Sequence, residues 1–125
     1  MNSEDKIAHL VITAAIEVHR TLGPGLLESA YEEALCFELN DAELDIERQK
    51  PLPIRYKGRK LGTDFRIDVL VDNRVIVELK SVEALSNLHA KQLLTYLRLS
   101  KLKLGFLLNF NCPLMKEGIK RIRND

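Results

Sequence analysis

The sequence predicts an α/β fold in which a mixed central sheet is flanked by helices, in the order α-α-β-β-β-α-β. Three observations predict it. Helical periodicity fills the first forty residues, strand-like alternation takes over at about Ile46, and a helical window at 87–100 returns before a nearly all-apolar run. At 125 residues, with 46% hydrophobic and 30% charged side chains, the chain has the length and balance of a single globular domain, 1–125.

The first helix is expected over 4–22. Ile7, Val11, Ala14, Val18 and Leu22 recur at helical spacing, while Lys6, His9, Thr13, Glu17 and Arg20 trace a polar stripe. The "GPG" at 23–25 ends it, because Pro24 cannot continue a helix and the glycines permit the turn. A second helix follows over about 26–40, with Leu27, Ala30, Tyr31, Ala34 and Leu35 as its expected apolar face. "IERQKPLPIRYKG" contains Pro51 and Pro53 and suits an edge strand. "RKLGTDFRIDVLV" alternates, which places Phe65, Ile67, Val69 and Val71 on one side. "RVIVELKSV" reads as another short strand, and Ser86 or Asn87 caps the helix at 87–100. "KLKLGFLLNF" is the type of strand buried on both faces, and the final dozen residues read as a short strand or loop beside it.

Composition excludes several classes of function. No apolar run approaches the roughly 20 residues of a membrane span, and the polar, acidic start "MNSEDKIAHL" is not a secretory signal. Cys36 and Cys112 form neither a metal-ligand spacing nor a disulfide framework, which predicts reduced thiols and a cytoplasmic location. A net charge of +1 excludes a DNA-packaging protein but not an enzyme that touches a few phosphates. The cations of "MKEGIKRIRND" read as a solvated tail.

The chemistry concentrates in "RIDVLVDNRVIVELKS". Glu78 and Lys80 project to one face of their strand. Whether Asp68 joins them depends on the connecting loop. A two-residue turn at 72–73 sets Asp68 opposite Val77, whereas a three-residue loop at 72–74 pairs Val71 with Val75 and sets Asp68 opposite Glu78. The longer loop requires a left-handed residue, Asn73 or Arg74. With that register, two carboxylates and one lysine share a partly covered face. Their surplus negative charge would suit a hard divalent cation such as Mg²⁺ or Mn²⁺. The competing reading is a semi-buried ion-pair cluster that fixes register.

Two further patterns accompany this group. "GLLESAY" places Glu28 and Tyr31 one helical turn apart, and "QLLTY" places Gln92 and Tyr96 on one helical face, which His89 shares. Taken singly, Glu28 reads as a favourable charge in a first helical turn, His89 and His19 as satisfied structural histidines, Cys36 as a small core residue and Cys112 as inert.

Together, Glu28, Asp68, the Glu78-x-Lys80 pair and the Gln92-x-x-x-Tyr96 pair resemble the motif set of the PD-(D/E)XK nuclease superfamily. "VHRTLGPGLLESAYEEAL", "VELKSV" and "QLLTYL" are similar to the GxxExxY family within it, over about 7–122. The resemblance implies a restriction-endonuclease-like core. It further implies Asp68, Glu78 and the Leu79 carbonyl as ligands of Mg²⁺ or Mn²⁺, with Glu28 binding directly or through water. Lys80 would position or activate the attacking water, while Gln92 and Tyr96 would hold the active-site strand and the nucleic-acid backbone. Tyr31 and His89 are accessory. Ile67 stands where the superfamily usually has proline, and there is no cysteine set for an iron–sulfur variant. The implied activity is metal-dependent endo- or exonucleolytic hydrolysis of nucleic acid, DNA in the first instance. The little surface that 125 residues offer a duplex suggests a symmetric homodimer, and no membrane partner is expected from the composition. The alternative is an inactive module of this fold, or a subunit of a larger complex.

Overall fold

The computed structural model describes residues 3–125. Helix α1 (Ser3–Leu22) and helix α2 (Glu28–Asp41) come first, followed by strands β1 (Ile46–Tyr56), β2 (Arg59–Val71) and β3 (Val75–Lys80). Helix α3 (Asn87–Ser100), strand β4 (Leu104–Asn109), a 3₁₀ turn at Met115–Gly118 and strand β5 (Ile119–Arg123) complete the chain. The sheet order is β1-β2-β3-β4-β5. Strands β3 and β4 are parallel, joined by the α3 crossover, and every other pair is antiparallel. The expected element order holds, and the ambiguous C-terminus is a true edge strand.

Two apolar layers sandwich the sheet. On one side Ile7, Val11, Ala15 and Val18 of α1 and Tyr31, Leu35 and Leu39 of α2 pack on Val69, Val71, Val75, Val77, Leu79, Phe106 and Leu108. On the other, Leu93, Tyr96 and Leu97 of α3 cover Ile67, Leu70, Ile76 and Leu107. Gly105 lets α3 approach closely: a Cβ there would lie 3.0 Å from Leu93 Cδ1 and 3.2 Å from the Ile76 carbonyl oxygen. All six residues of β4 are buried, as its apolar run requires.

The structure corrects the expected faces in three places. Leu22 is 41% exposed, and α1 buries Ala8 and His19 in addition to the anticipated stripe. In α2 the buried face is Tyr31, Glu32, Leu35, Cys36 and Leu39; Leu27 is the extended N-cap residue, 78% exposed, and Ala30 and Ala34 are only half-buried. The expected single side of Phe65, Ile67, Val69 and Val71 is split, because Phe65 and Ile67 belong to the α3 layer and the two valines to the opposite one. The alternation slips at Asp68, opposite which Gln49 adopts φ 51° and interrupts the β1–β2 ladder.

The β2–β3 connection is the three-residue loop, with Val71 paired to Val75, Leu70 to Ile76 and Val69 to Val77. The left-handed residues are Asp72 (φ 50°) and Asn73 (φ 54°), so Arg74 does not supply that conformation. Asx residues adopt it most readily, and the Asp72 side chain is further held by the Asp45 amide at 2.8 Å. This loop fixes the register. A one-residue slip would carry Glu78 into the α1–α2 layer without a partner.

Tyr31 ties the "GPGLL" segment to the core. Its ring stacks on Phe110 at 4.5 Å and its hydroxyl donates to the Gly23 carbonyl at 2.6 Å while accepting from the Leu26 amide at 3.1 Å. Removing the hydroxyl leaves a carbonyl and an amide short of partners. Tyr31→Phe is therefore expected to destabilise the fold by about 1–3 kcal/mol, measured as a lower urea midpoint at unchanged m-value.

Candidate active site

Strands β2 and β3 stop pairing after Val69 and Val77, and beyond that point the two acids replace the ladder. The Asp68 amide donates to Glu78 Oε2 at 2.8 Å, and the Leu79 amide donates to Asp68 Oδ2 at 2.9 Å. Each carboxylate thus caps an amide of the opposite strand that a continued sheet would have satisfied. The residues Asp68 and Glu78 meet in one cleft, as the three-residue loop requires. The second oxygens are less committed. Asp68 Oδ1 has a long 3.4 Å contact from Gln49 Nε2, and Glu78 Oε1 has no hydrogen-bond partner among the described residues.

The cleft is short of positive charge. Burial, followed by the neighbouring Asp68 carboxylate, pushes the Glu78 carboxyl up to about 8. Asp68 is raised as well, chiefly by burial, against the opposing effect of its bond from the Leu79 amide. Lys80, on the same face as Glu78, favours the charged form of both acids. It makes no ion pair within 4.0 Å among the described residues, so its ammonium is close enough to be felt and remains uncommitted. Its backbone carbonyl accepts from the Phe110 amide at 3.0 Å, on the β4 side. Leu79 faces the other way: its amide is turned to β2, so its carbonyl, on the same edge of an extended strand, is turned there too.

A third acid stands nearby that the sequence reading missed. Glu32 of α2 is only 7% exposed; Arg48 Nε donates to its Oε2 at 3.1 Å and Gln49 Nε2 to its Oε1 at 2.7 Å. Through Gln49 it is linked to Asp68, and its charge raises both Asp68 and Glu78. The left-handed backbone of Gln49 turns one amide toward both acids. The signal was present: Glu32 falls at i, i+3, i+4 and i+7 with Leu35, Cys36 and Leu39, a charge on the apolar stripe.

The remaining predicted residues divide. Tyr96 is buried against Phe65, ring centroids 5.1 Å apart, and its hydroxyl is pushed up to about 12 by burial and then by the negative charge of Glu78 and Asp68. Gln92 is exposed on α3 without a hydrogen-bond partner among the described residues. Glu28 is also exposed and without a partner among them, although Ser81, next to Lys80, donates to the Leu26 carbonyl at 3.0 Å and ties the start of α2 to the end of β3. His89 closes the N-terminus of α3: Ser86 N–H donates to its Nδ1 at 3.1 Å and its own amide donates to Ser86 Oγ at 3.3 Å. His19 bonds the Cys112 carbonyl at 2.7 Å, and Cys36 is a buried thiol raised to about 11 by burial.

No set of three His, Cys, Asp or Glu side chains among the described residues converges as a metal-holding group. The donors present are instead two carboxylates of raised pKa with partly free oxygens and an adjacent main-chain carbonyl. Hard oxygen donors short of cationic charge fit Mg²⁺ or Mn²⁺, with water completing the shell.

An α/β core with two acids and a lysine at the fork of its central strands defines a nuclease-type domain. A family model of the PD-(D/E)XK nuclease superfamily matches residues 5–122, and the chain belongs to that superfamily. Neither the curated proteins nor the solved structures contain a significant match. No helix among the described residues is long and apolar enough to cross a membrane.

A carboxyl whose folded pKa lies above its unfolded value stabilises the protein below the unfolded value, and that contribution is lost as pH rises through the folded one. For Glu78 the window runs from the ordinary carboxyl value of 4.5 to about 8. In chelator, Glu78→Gln is expected to raise the melting temperature relative to wild type by roughly 10 °C or more further at pH 9 than at pH 5. A difference that does not change with pH would contradict this assignment.

Proposed function

We propose that the chain is a Mg²⁺- or Mn²⁺-dependent nuclease of the GxxExxY type, hydrolysing phosphodiester bonds in DNA. The observation that carries this reading is the reciprocal bonding of Asp68 and Glu78 across the β2–β3 fork, which holds a half-buried and a buried carboxylate side by side beside an uncommitted lysine. A structural ion-pair cluster would instead close on Lys80.

Asp68, Glu78 and the Leu79 carbonyl would hold the cation, and Glu28 would reach it through water. A divalent cation there supplies Lewis acidity toward the phosphoryl oxygens and lowers the pKa of an attacking water. The strand amides of Asp68 and Leu79 each fix one carboxylate oxygen, so the acids need not reorganise to bind. Lys80 orients the water and offsets negative charge building on the phosphate. Tyr96 supports the β2 strand through Phe65, and its high pKa keeps it a neutral hydrogen-bond donor. Gln92, one turn earlier on α3 and exposed, would meet the nucleic-acid backbone. Assembly as a symmetric homodimer would double the small surface one domain offers to a duplex.

Wild-type protein is expected to melt several degrees higher at 1 mM Mn²⁺ and to cleave a mixed-sequence DNA substrate only with Mn²⁺ or Mg²⁺. Asp68→Asn, Glu78→Gln and Lys80→Ala are each expected to slow cleavage by at least about 100-fold while remaining folded. An unchanged melting temperature with Mn²⁺ and no cleavage by wild type would leave an inactive module of this fold.

A further inference from the structure

The proposed site accounts for the base of β2 but not for what projects beyond it. From 50 to 66 the chain carries six Lys and Arg and one acid, Asp64, against thirteen basic and seventeen acidic residues elsewhere. The overall charge of +1 thus hides a positive segment on a negative body. That segment is the distal part of the β1–β2 hairpin. Leu52 and Phe65 anchor it to the α3 layer, but every residue from Arg55 to Asp64 is exposed. A two-residue turn, Lys57 (φ 49°) and Gly58 (φ 80°), closes the tip between paired Tyr56 and Arg59.

An exposed ribbon without a hydrophobic face is not explained by folding energetics. Its prolines, Pro51 and Pro53, and the register shift between Pro53 and Arg55 protect the outer edge against strand addition, which leaves the cations without that task. Arg55, Arg59 and Lys60 have no acidic partner among the described residues, and Lys57 lies over the Tyr56 ring at 5.5 Å. Nine residue steps separate Arg59 from Asp68, so the ribbon reaches up to roughly 30 Å from the acids, about nine base pairs along a duplex.

We infer that this hairpin is a duplex-gripping arm: Arg55, Lys57, Arg59 and Lys60 contact DNA phosphates on one side of the bond presented to Asp68 and Glu78. A two-stranded ribbon fits the major groove of B-form DNA, and cations along both strands of the ribbon meet phosphates on both groove walls. Single strands are gripped chiefly by stacking of successive bases on several aromatic side chains, and the exposed part of the arm has only Tyr56, with Lys57 over one face of its ring. The Phe65–Tyr96 contact joins the base of the arm to the acid cleft. The inference deepens the nuclease reading, since it names the substrate form.

The test compares wild type with Arg55→Gln/Lys57→Gln/Arg59→Gln/Lys60→Gln, and with a control of equal charge change, Lys6→Gln/Arg74→Gln/Lys101→Gln/Lys103→Gln. The control residues cluster around the Asp72–Asn73 turn, at the opposite end of β3 from Glu78 and Lys80. Binding to a 20-base-pair DNA duplex, to one of its strands and to phosphatidylserine vesicles is measured by anisotropy or sedimentation across a salt series in chelator. Circular dichroism and melting temperature check folding.

The arm variant is expected to lose at least about 100-fold in duplex affinity near 0.1 M salt and about three to four units of log K against log salt slope, the control one unit or less. Equal slopes for wild type and arm variant overturn the arm. So does equal wild-type affinity for the single strand, or for the vesicles. Cleavage by Mn²⁺-loaded wild type that Glu78→Gln abolishes, with binding indifferent to the arm, sinks the arm and keeps the nuclease. Arm-dependent duplex binding without cleavage does the reverse.

Discussion

The organisation of the domain turns on what happens where β2 and β3 stop pairing. A sheet that parts within a covered interior leaves amides without acceptors, and each such group costs about 1–3 kcal/mol. Here Asp68 and Glu78 supply the acceptors, each reaching across to the other strand. The arrangement satisfies the backbone at the cost of setting two carboxylates together in a desolvated cleft. The raised pKa of Glu78 is the signature of that cost. One interaction therefore shapes the fork and creates the charge deficit that fits a cation.

Burial and neighbouring charge do not act alone on this cleft. Gln49 bridges Glu32 to Asp68, and Arg48 takes the far oxygen of Glu32. Arg48 neutralises the α2 acid from outside, so most of the uncompensated charge falls on Asp68 and Glu78, with Lys80 as the nearby cation. The left-handed φ of Gln49 and the loss of alternation at Asp68 are two aspects of one distortion, which turns side chains of both strands toward the fork.

Element order, the Ser86 cap and the buried β4 strand were legible because each rests on local periodicity or local chemistry. The β2–β3 register was legible only as two alternatives. Loop geometry decides between them, and the choice of Asp72 and Asn73 for positive φ follows from Asx chemistry rather than from pattern. The slip at Asp68 was not legible, because strand alternation carries no mark of a kink imposed by the neighbouring strand. Glu32 was legible in principle as a charge on an apolar stripe, but its partners Arg48 and Gln49 sit on a strand whose pairing only the fold reveals.

The same distinction clarifies the "GLLESAY" segment. Read along the helix, Glu28 and Tyr31 fall one turn apart, side by side. In three dimensions Tyr31 points inward, stacks on Phe110 and binds both ends of the loop that Gly25, at φ 99°, allows to turn. That loop is tied through the Leu26 carbonyl to Ser81, the residue after Lys80. Phe110, under the Tyr31 ring, donates its amide to the Lys80 carbonyl. Two independent contacts thus run from this segment to the end of β3, one to the Ser81 hydroxyl and one, through Phe110, to the Lys80 carbonyl. The glycine and tyrosine hold the end of β3 rigid, while Glu28 remains the one member of the motif free to meet solvent or ligand.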